Sequence, residues 1–115
     1  MSVMTTELPG NHASIHLERA IARVVKTMQP EAIYLFGSRA RGDADADSDF
    51  DLLVIVPDDA PLSSRSLEAT TLVERDPGVP LDIVPCRRSV FEVKREHVGT
   101  LSYSAAHEGR LVYGQ

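Results

Sequence analysis

The chain has little cysteine and no long apolar run, and both shortages limit what it can be. Its one cysteine, Cys86, cannot form an internal disulfide, which fits a reducing cytoplasm. No run of apolar residues approaches the ~20 that a membrane-spanning helix needs, and the first residues lack the basic start of a secretion signal. We therefore expect a cytoplasmic protein that does not span a membrane.

Positive charge is also scarce in this sequence. Twelve Lys and Arg residues stand against 17 Asp and Glu residues, a net charge of −5, which argues against unaided binding to a nucleic-acid backbone. With 115 residues, of which 43% are hydrophobic, the chain is long enough for one compact domain and too short for two. We expect a flexible arm over residues 1–10 and one domain over residues 11–115.

The most informative segment begins where a short apolar run stops at a glycine. Ala32–Phe36 is typical of a buried strand, and Gly37 allows a sharp turn and a close approach of the backbone to a ligand. Ser38 offers a hydroxyl, and the helix formers from Arg39 to Arg41 could begin a helix with its free N–H groups facing the same ligand. This arrangement suits a phosphate.

Two carboxylates precede and enter the next apolar run. Phe50–Val56 has the composition of a buried strand, so Asp49 and Asp51 point to the same face with α-carbons roughly 6.5–7 Å apart. Oxygen ligands of this kind favour Mg²⁺ or Mn²⁺ over Zn²⁺. The alternating aspartates over 43–47 are open to a plainer interpretation, an acidic loop in solvent.

The Walker A loop, a different phosphate-binding motif, is excluded because its lysine is missing. Gly37 and Gly42 have the spacing of the two glycines in a Walker A loop. However, Asp43 stands where that loop needs lysine, and Ala44 where it needs serine or threonine. The cation that would neutralise phosphate charge in such a loop is therefore missing.

The pattern of Gly37-Ser38, ten intervening residues and Asp49-x-Asp51 entering a strand resembles the nucleotidyltransferase superfamily of DNA polymerase beta and the antibiotic nucleotidyltransferases. Residues 37–42 and 48–52 are most similar to the minimal nucleotidyltransferases (MNT), the antitoxin partners of HEPN toxins. The resemblance covers nearly the whole chain. It implies an α/β fold of the polymerase-beta-like type, a small mixed sheet flanked by helices in a single domain.

A third carboxylate is expected on a later strand in that superfamily, and Asp82 matches it. Asp82 lies within the short apolar segment 79–85, where a lone charge is costly to bury unless it binds a metal or a partner. An edge strand with Asp82 facing solvent is the alternative. The resemblance implies that Asp49, Asp51 and Asp82 are both the metal ligands and the catalytic residues.

The same resemblance implies a reaction and a partner. Gly37, Ser38, Arg39 and Arg41 would bind the nucleotide. AMP would pass from ATP, with Mg²⁺ or Mn²⁺, to a hydroxyl of a HEPN ribonuclease toxin, with a tyrosine as the expected acceptor, and toxin and antitoxin could form a hetero-oligomer. Two alternatives stay open: an antitoxin that acts by covering its toxin without catalysis, and the catalytic part of an aminoglycoside-type nucleotidyltransferase.

The rest of the chain predicts the elements around this site. Apolar residues recur at helical spacing over 17–28, and Pro30 marks the end of that helix. A second helix is predicted over 61–74, a third from a capping box at Ser89, and a short helical stretch between Gly99 and Gly109. The predicted order is helix, strand, helix, strand, helix, strand, helix.

Two further groups of residues carry weaker hypotheses. His12 and His16 would share a face of the first helix, but no third ligand for a zinc ion is evident. A basic cluster near the third helix either contacts a triphosphate or an acidic partner, or is simply a solvated face. The cluster comprises Arg87, Arg88, Lys94 and Arg95.

Overall fold

The computed structural model describes residues 12–37, 49–61 and 66–114, and the predicted arm over 1–10 lies outside these ranges. Within the described ranges, no helix combines the length and the apolar character that a membrane span needs. The elements in chain order are α1 (His12–Met28), β1 (Ala32–Phe36), β2 (Phe50–Val56), α2 (Leu67–Thr71), β3 (Leu81–Arg87), α3 (Arg88–Lys94), α4 (Leu101–Glu108) and β4 (Arg110–Gly114).

The four strands form one mixed sheet in the order β3-β2-β1-β4. β1 pairs antiparallel with both β2 and β4, whereas β2 and β3 run parallel. The α/β fold predicted for this sequence, a small mixed sheet flanked by helices, is therefore confirmed.

The central strand β2 is buried on both faces of the sheet, which explains its unbroken apolar sequence. Alternate residues beginning at Phe50 pack with the apolar face of α1 in one core. Leu53 and Ile55 belong to a second core, on the other face, together with Phe91 of α3 and Ala105 of α4. Because side chains alternate along a strand, Asp51 lies on the face of Leu53 and Ile55.

The first helix follows the sequence prediction closely. All four apolar residues that recur at helical spacing are buried: Leu17, Ile21, Val24 and Met28. The helix ends at Met28, and Gln29 adopts a left-handed conformation with φ of 51° just before Pro30. A proline at that point cannot continue the helix, so the chain turns directly into β1.

The prediction of a continuous second helix over 61–74 is wrong. Residue Ser66 is extended, with φ of −87° and ψ of 163°, and its side chain accepts a hydrogen bond from the backbone N–H of Ala69. Ser66 is therefore an N-cap, and α2 begins after it. Residues 62–65, where the first part of the predicted helix would fall, lie outside the described ranges.

The capping box predicted at Ser89 is also wrong. The third helix begins one residue earlier, at Arg88, and its N-cap Arg87 makes no side-chain capping bond. The backbone N–H of Ser89 instead donates to Oδ1 of Asp58 at 2.9 Å. A carboxylate from the loop after β2 thus satisfies an N–H group of the first turn, as a cap would.

The last helix and strand close the sheet. Thr100 caps α4 by accepting a hydrogen bond from the N–H of Tyr103, and the helix ends at Gly109, as predicted. The strand β4 then pairs with β1, with Arg110 opposite Leu35. The predicted order of elements stopped at a helix and missed this strand. The predicted helix after Gly37 lies outside the described residues.

Candidate active site

The structure brings together three aspartates from two parallel strands. Asp49 immediately precedes β2, Asp51 is its second residue, and Asp82 is the second residue of β3, directly opposite Asp51 in the pairing register. One carboxylate oxygen from each residue lies within 4.8 Å of the others. The alternation of side chains places Asp49 beside Asp51, and the parallel register adds Asp82.

Negative charge accumulates at this acidic cluster, which we define as Asp49, Asp51 and Asp82. Asp49 and Asp82 are exposed, whereas Asp51 is half-buried. Burial raises the pKa of Asp51 above its usual value, and the charge of Asp82, a hydrogen bond with Asp82 and the charge of Asp49 raise it further. The folded protein therefore disfavours ionisation of Asp51 unless a positive charge is nearby.

The acidic cluster fits a divalent cation. Its donors are carboxylate oxygens alone, which suit Mg²⁺ and Mn²⁺. A cation among three such oxygens would offset both the burial and the repulsion that raise the pKa of Asp51. Among the described residues, no other group of three or more carboxylate, imidazole or thiol side chains lies close enough together to share a metal ion.

Gly37 lies next to Asp51 of the acidic cluster, a contact that the sequence alone does not predict. It follows Phe36, which pairs with Asp51 across the antiparallel β1–β2 register. The φ angle of Gly37 is +81°, and a Cβ atom there would lie 2.5 Å from Oδ2 of Asp51. The missing side chain therefore leaves room for the Asp51 carboxylate. No local signal identifies this contact, because it depends on the strand register.

The other predicted nucleotide-binding residues, Ser38, Arg39 and Arg41, lie outside the described residues. Their role stays a prediction, as does the catalytic role of the acidic cluster.

The two weaker sequence hypotheses have plainer structural explanations. His16 lies 2.8 Å from the carboxylate of Asp76, and the side chain of His12 is outside the described part of the chain. In the basic cluster, Arg88 contacts Glu31 at 2.8 Å and Glu92 at 3.1 Å. These contacts favour a structural role for His16 and an ion-paired surface for Arg88.

Comparison with known proteins identifies the domain. The family model described as "Nucleotidyltransferase domain" matches residues 18–110. The fold is similar to a structure described as a toxin–antitoxin with AMP-PNP, at 21% identity and a TM-score of 0.48, covering 85% of this chain and 73% of that one.

A structure from Sulfolobus solfataricus, assigned as a nucleotidyltransferase, is similar at 18% identity and a TM-score of 0.46, covering 84% of this chain and 88% of that one. A search of the curated proteins finds no significant match. The family model spans most of the sequence, including all three residues of the acidic cluster. The chain therefore belongs to the nucleotidyltransferase domain family.

Proposed function

We propose that this protein transfers AMP from ATP to a hydroxyl group of a protein acceptor and releases pyrophosphate. The observation that carries the proposal is the acidic cluster, whose oxygens lie within 4.8 Å of one another in a chain of the nucleotidyltransferase family. Membership of this family implies a nucleotide substrate and a divalent metal. The cluster is the part of the described chain that suits that metal.

Each residue of the site has a proposed role. Asp49, Asp51 and Asp82 would hold Mg²⁺ or Mn²⁺, which when bound neutralises phosphate charge and stabilises the departing pyrophosphate. The backbone at Gly37 and the hydroxyl of Ser38 would hold the triphosphate, with Arg39 and Arg41 nearby in sequence. These residues would keep the α-phosphate in line with the acceptor.

The reaction exchanges one phosphorus–oxygen bond for another. The acceptor oxygen forms a bond to the α-phosphorus, and the bond from that phosphorus to the pyrophosphate oxygen breaks. The acceptor proton must leave, and Asp82, the exposed carboxylate on β3, is the group we propose to receive it. A tyrosine acceptor, with an ordinary pKa of about 10, would require such help at neutral pH.

The acceptor we propose is a HEPN toxin, so that the chain acts as an antitoxin in the cytoplasm. This part rests on the resemblance of the Gly37-Ser38 and Asp49-x-Asp51 pattern to the minimal nucleotidyltransferases. An antitoxin that merely covers its toxin would not need three carboxylates at one edge of the sheet. The acidic cluster therefore favours catalysis over steric neutralisation.

Labelled ATP tests the proposal. The purified chain is incubated with Mg²⁺, ATP and the product of the neighbouring gene. We expect that product to incorporate label from the α-phosphate of ATP and none from the γ-phosphate. Asp49→Asn and Asp51→Asn should each abolish incorporation. Asp59→Asn is the matched control, since it removes the charge of an exposed aspartate beyond the other end of β2. Incorporation from the γ-phosphate, or unchanged activity in both site variants, would contradict the proposal.

A further inference from the structure

Asp76 lies before β3 and is held by three basic side chains of α1. Nδ1 of His16 and Nη1 of Arg23 each lie 2.8 Å from its carboxylate, and Nη1 of Arg19 lies at 3.7 Å. The Asp76 side chain is only 13% exposed. We call this group, comprising Asp76, His16, Arg19 and Arg23, the α1 clasp.

The clasp is followed by a short, stiff connection to the active-site strand. The N–H of Val79 donates to the carbonyl of Asp76 at 3.2 Å and closes a tight turn through Pro77 and Gly78. The φ of Gly78 is +76°, and proline followed by a glycine with positive φ is the signature of a type II turn. Only five residues, 77–81, separate Asp76 from Asp82.

Backbone and side-chain bonds fix the end of this connection against β2. The carbonyl of Pro80 accepts a hydrogen bond from the N–H of Phe50 at 3.0 Å. Nη1 of Arg75 donates to the carbonyls of Thr70 and Val73 at 3.0 and 2.9 Å, which ties α2 to the same segment. The start of β3 is therefore held from the side of α1, of α2 and of β2.

The α1 clasp and the acidic cluster occupy opposite faces of the same sheet edge. His16, Arg23 and Asp76 line a shallow pocket together with Phe50 and Leu81. Phe50 lies between Asp49 and Asp51 in the sequence, and Leu81 immediately precedes Asp82. Leu81 and Asp82 are consecutive and face opposite sides of the sheet. A movement of the backbone on the side of the clasp would therefore also move Asp82 relative to Asp51.

We propose that Asp76 is a positioning residue for the metal site: its clasp to α1 sets the place of Asp82 beside Asp51. The proposal rests on the proposed function only in taking Asp82 as a metal ligand. Neutralising Asp76 leaves three basic groups of α1 facing a side chain without charge. The segment before β3 then loses its attachment to α1, while its bonds to α2 and β2 remain.

A second ion pair in the protein provides the matched control. Glu31, just before β1, contacts Arg88 at the start of α3 at 2.8 Å. This pair also joins separate elements, but Arg88 directly follows the end of β3, away from Asp82. Glu31→Gln and Asp76→Asn are therefore comparable losses of one carboxylate charge, and only one of them lies at the metal-site edge.

The test measures Mn²⁺ affinity by calorimetric titration, at a temperature well below unfolding of every variant, alongside thermal melting. We expect Asp76→Asn and Arg23→Gln to weaken Mn²⁺ binding by about three- to tenfold, which is at or below the lower end of the effects of groups that bond directly to metal ligands. Glu31→Gln should leave Mn²⁺ binding unchanged within about twofold, and it should lower the melting temperature less, because the Glu31 side chain is 42% exposed and that of Asp76 is 13% exposed.

Mn²⁺ affinity that is unchanged in Asp76→Asn, or reduced no more than in Glu31→Gln, would overturn the proposal. Absence of Mn²⁺ binding by the wild-type protein would overturn both this proposal and the metal site. A wild-type protein that binds Mn²⁺ but transfers no AMP would contradict the proposed function alone, and the weaker binding of the Asp76 variant would still support the clasp.

Discussion

Replacement of Gly37 by alanine should damage the metal site more than the fold. The backbone at Gly37 has a φ of +81°, and a left-handed conformation costs an L-residue roughly 1–2 kcal/mol. The new Cβ would also lie 2.5 Å from Oδ2 of Asp51, well inside the contact distance of nonbonded atoms. The Asp51 side chain must therefore rotate away, and its carboxylate leaves the cluster with Asp49 and Asp82.

Gly99 separates the backbone effect from the contact with Asp51. Its φ of +95° is also positive, but an added Cβ would meet no atom within 4 Å. Gly99→Ala should therefore carry the backbone penalty alone. A loss of about 1 kcal/mol lowers the melting temperature of a small domain by about 4–8 °C, so both variants should melt several degrees below wild type.

Mn²⁺ titration then distinguishes the two variants. Gly37→Ala should bind Mn²⁺ at least about tenfold more weakly than wild type, as expected when a ligand is displaced. Gly99→Ala should bind Mn²⁺ with wild-type affinity. Equal affinity in the two alanine variants would refute the argument that Gly37 makes room for Asp51.

Two further variants test the electrostatics and the helix cap. With metal removed by chelation, Asp51→Asn should melt above wild type at neutral pH. Because folding raises the pKa of Asp51, its ionisation costs stability at pH values above the unfolded pKa of about 3.9, and the full cost is reached above the raised pKa. The gain from Asp51→Asn should therefore vanish below about pH 3.9, and a destabilised variant at neutral pH would contradict this. Thr100→Ala removes the 3.1 Å capping bond to the N–H of Tyr103 and should cost about 1 kcal/mol in urea unfolding. Thr100→Ser keeps the capping hydroxyl and should retain most of the wild-type stability, whereas equal stability of the Ala and Ser variants would argue against the cap.

The central strands were predictable because their signals are local. The apolar runs Ala32–Phe36 and Phe50–Val56 end where the sequence indicates, and both became strands. The pairing of Asp49 with Asp51 follows from side-chain alternation within one segment. The choice of Asp82 depended on the family resemblance, because the argument from the cost of burying its charge is wrong: β3 is an edge strand and Asp82 is exposed, although it lies beside Asp51.

Features that depend on distant segments were not predictable. The helix at Ser89 begins early because its N–H finds Asp58, 31 residues away in the sequence. The second helix is shorter than its apolar pattern suggested because Ser66 caps it. His16 was considered with His12 as a metal pair, yet its partner is Asp76, 60 residues away. Hydrogen bonds of this range leave no trace in local periodicity.

The contact of Gly37 with Asp51 depends on the register of two strands as well as on the local motif. From the sequence, the glycine is expected to let the backbone approach a phosphate closely. The antiparallel pairing of Phe36 with Asp51 gives the same glycine a second function, which is to leave space for a carboxylate. Both functions are compatible, because one concerns the backbone and the other the absent side chain.

The central claim is that this chain modifies a protein by nucleotidyl transfer at the acidic cluster. The most direct measurement is intact-mass spectrometry of the neighbouring gene's product after incubation with ATP, Mg²⁺ and either wild type or Asp82→Asn. We expect wild type to add whole AMP units, and Asp82→Asn to add none while still binding that protein in a pull-down. An unmodified protein in the wild-type reaction, with binding intact, would contradict the catalytic account.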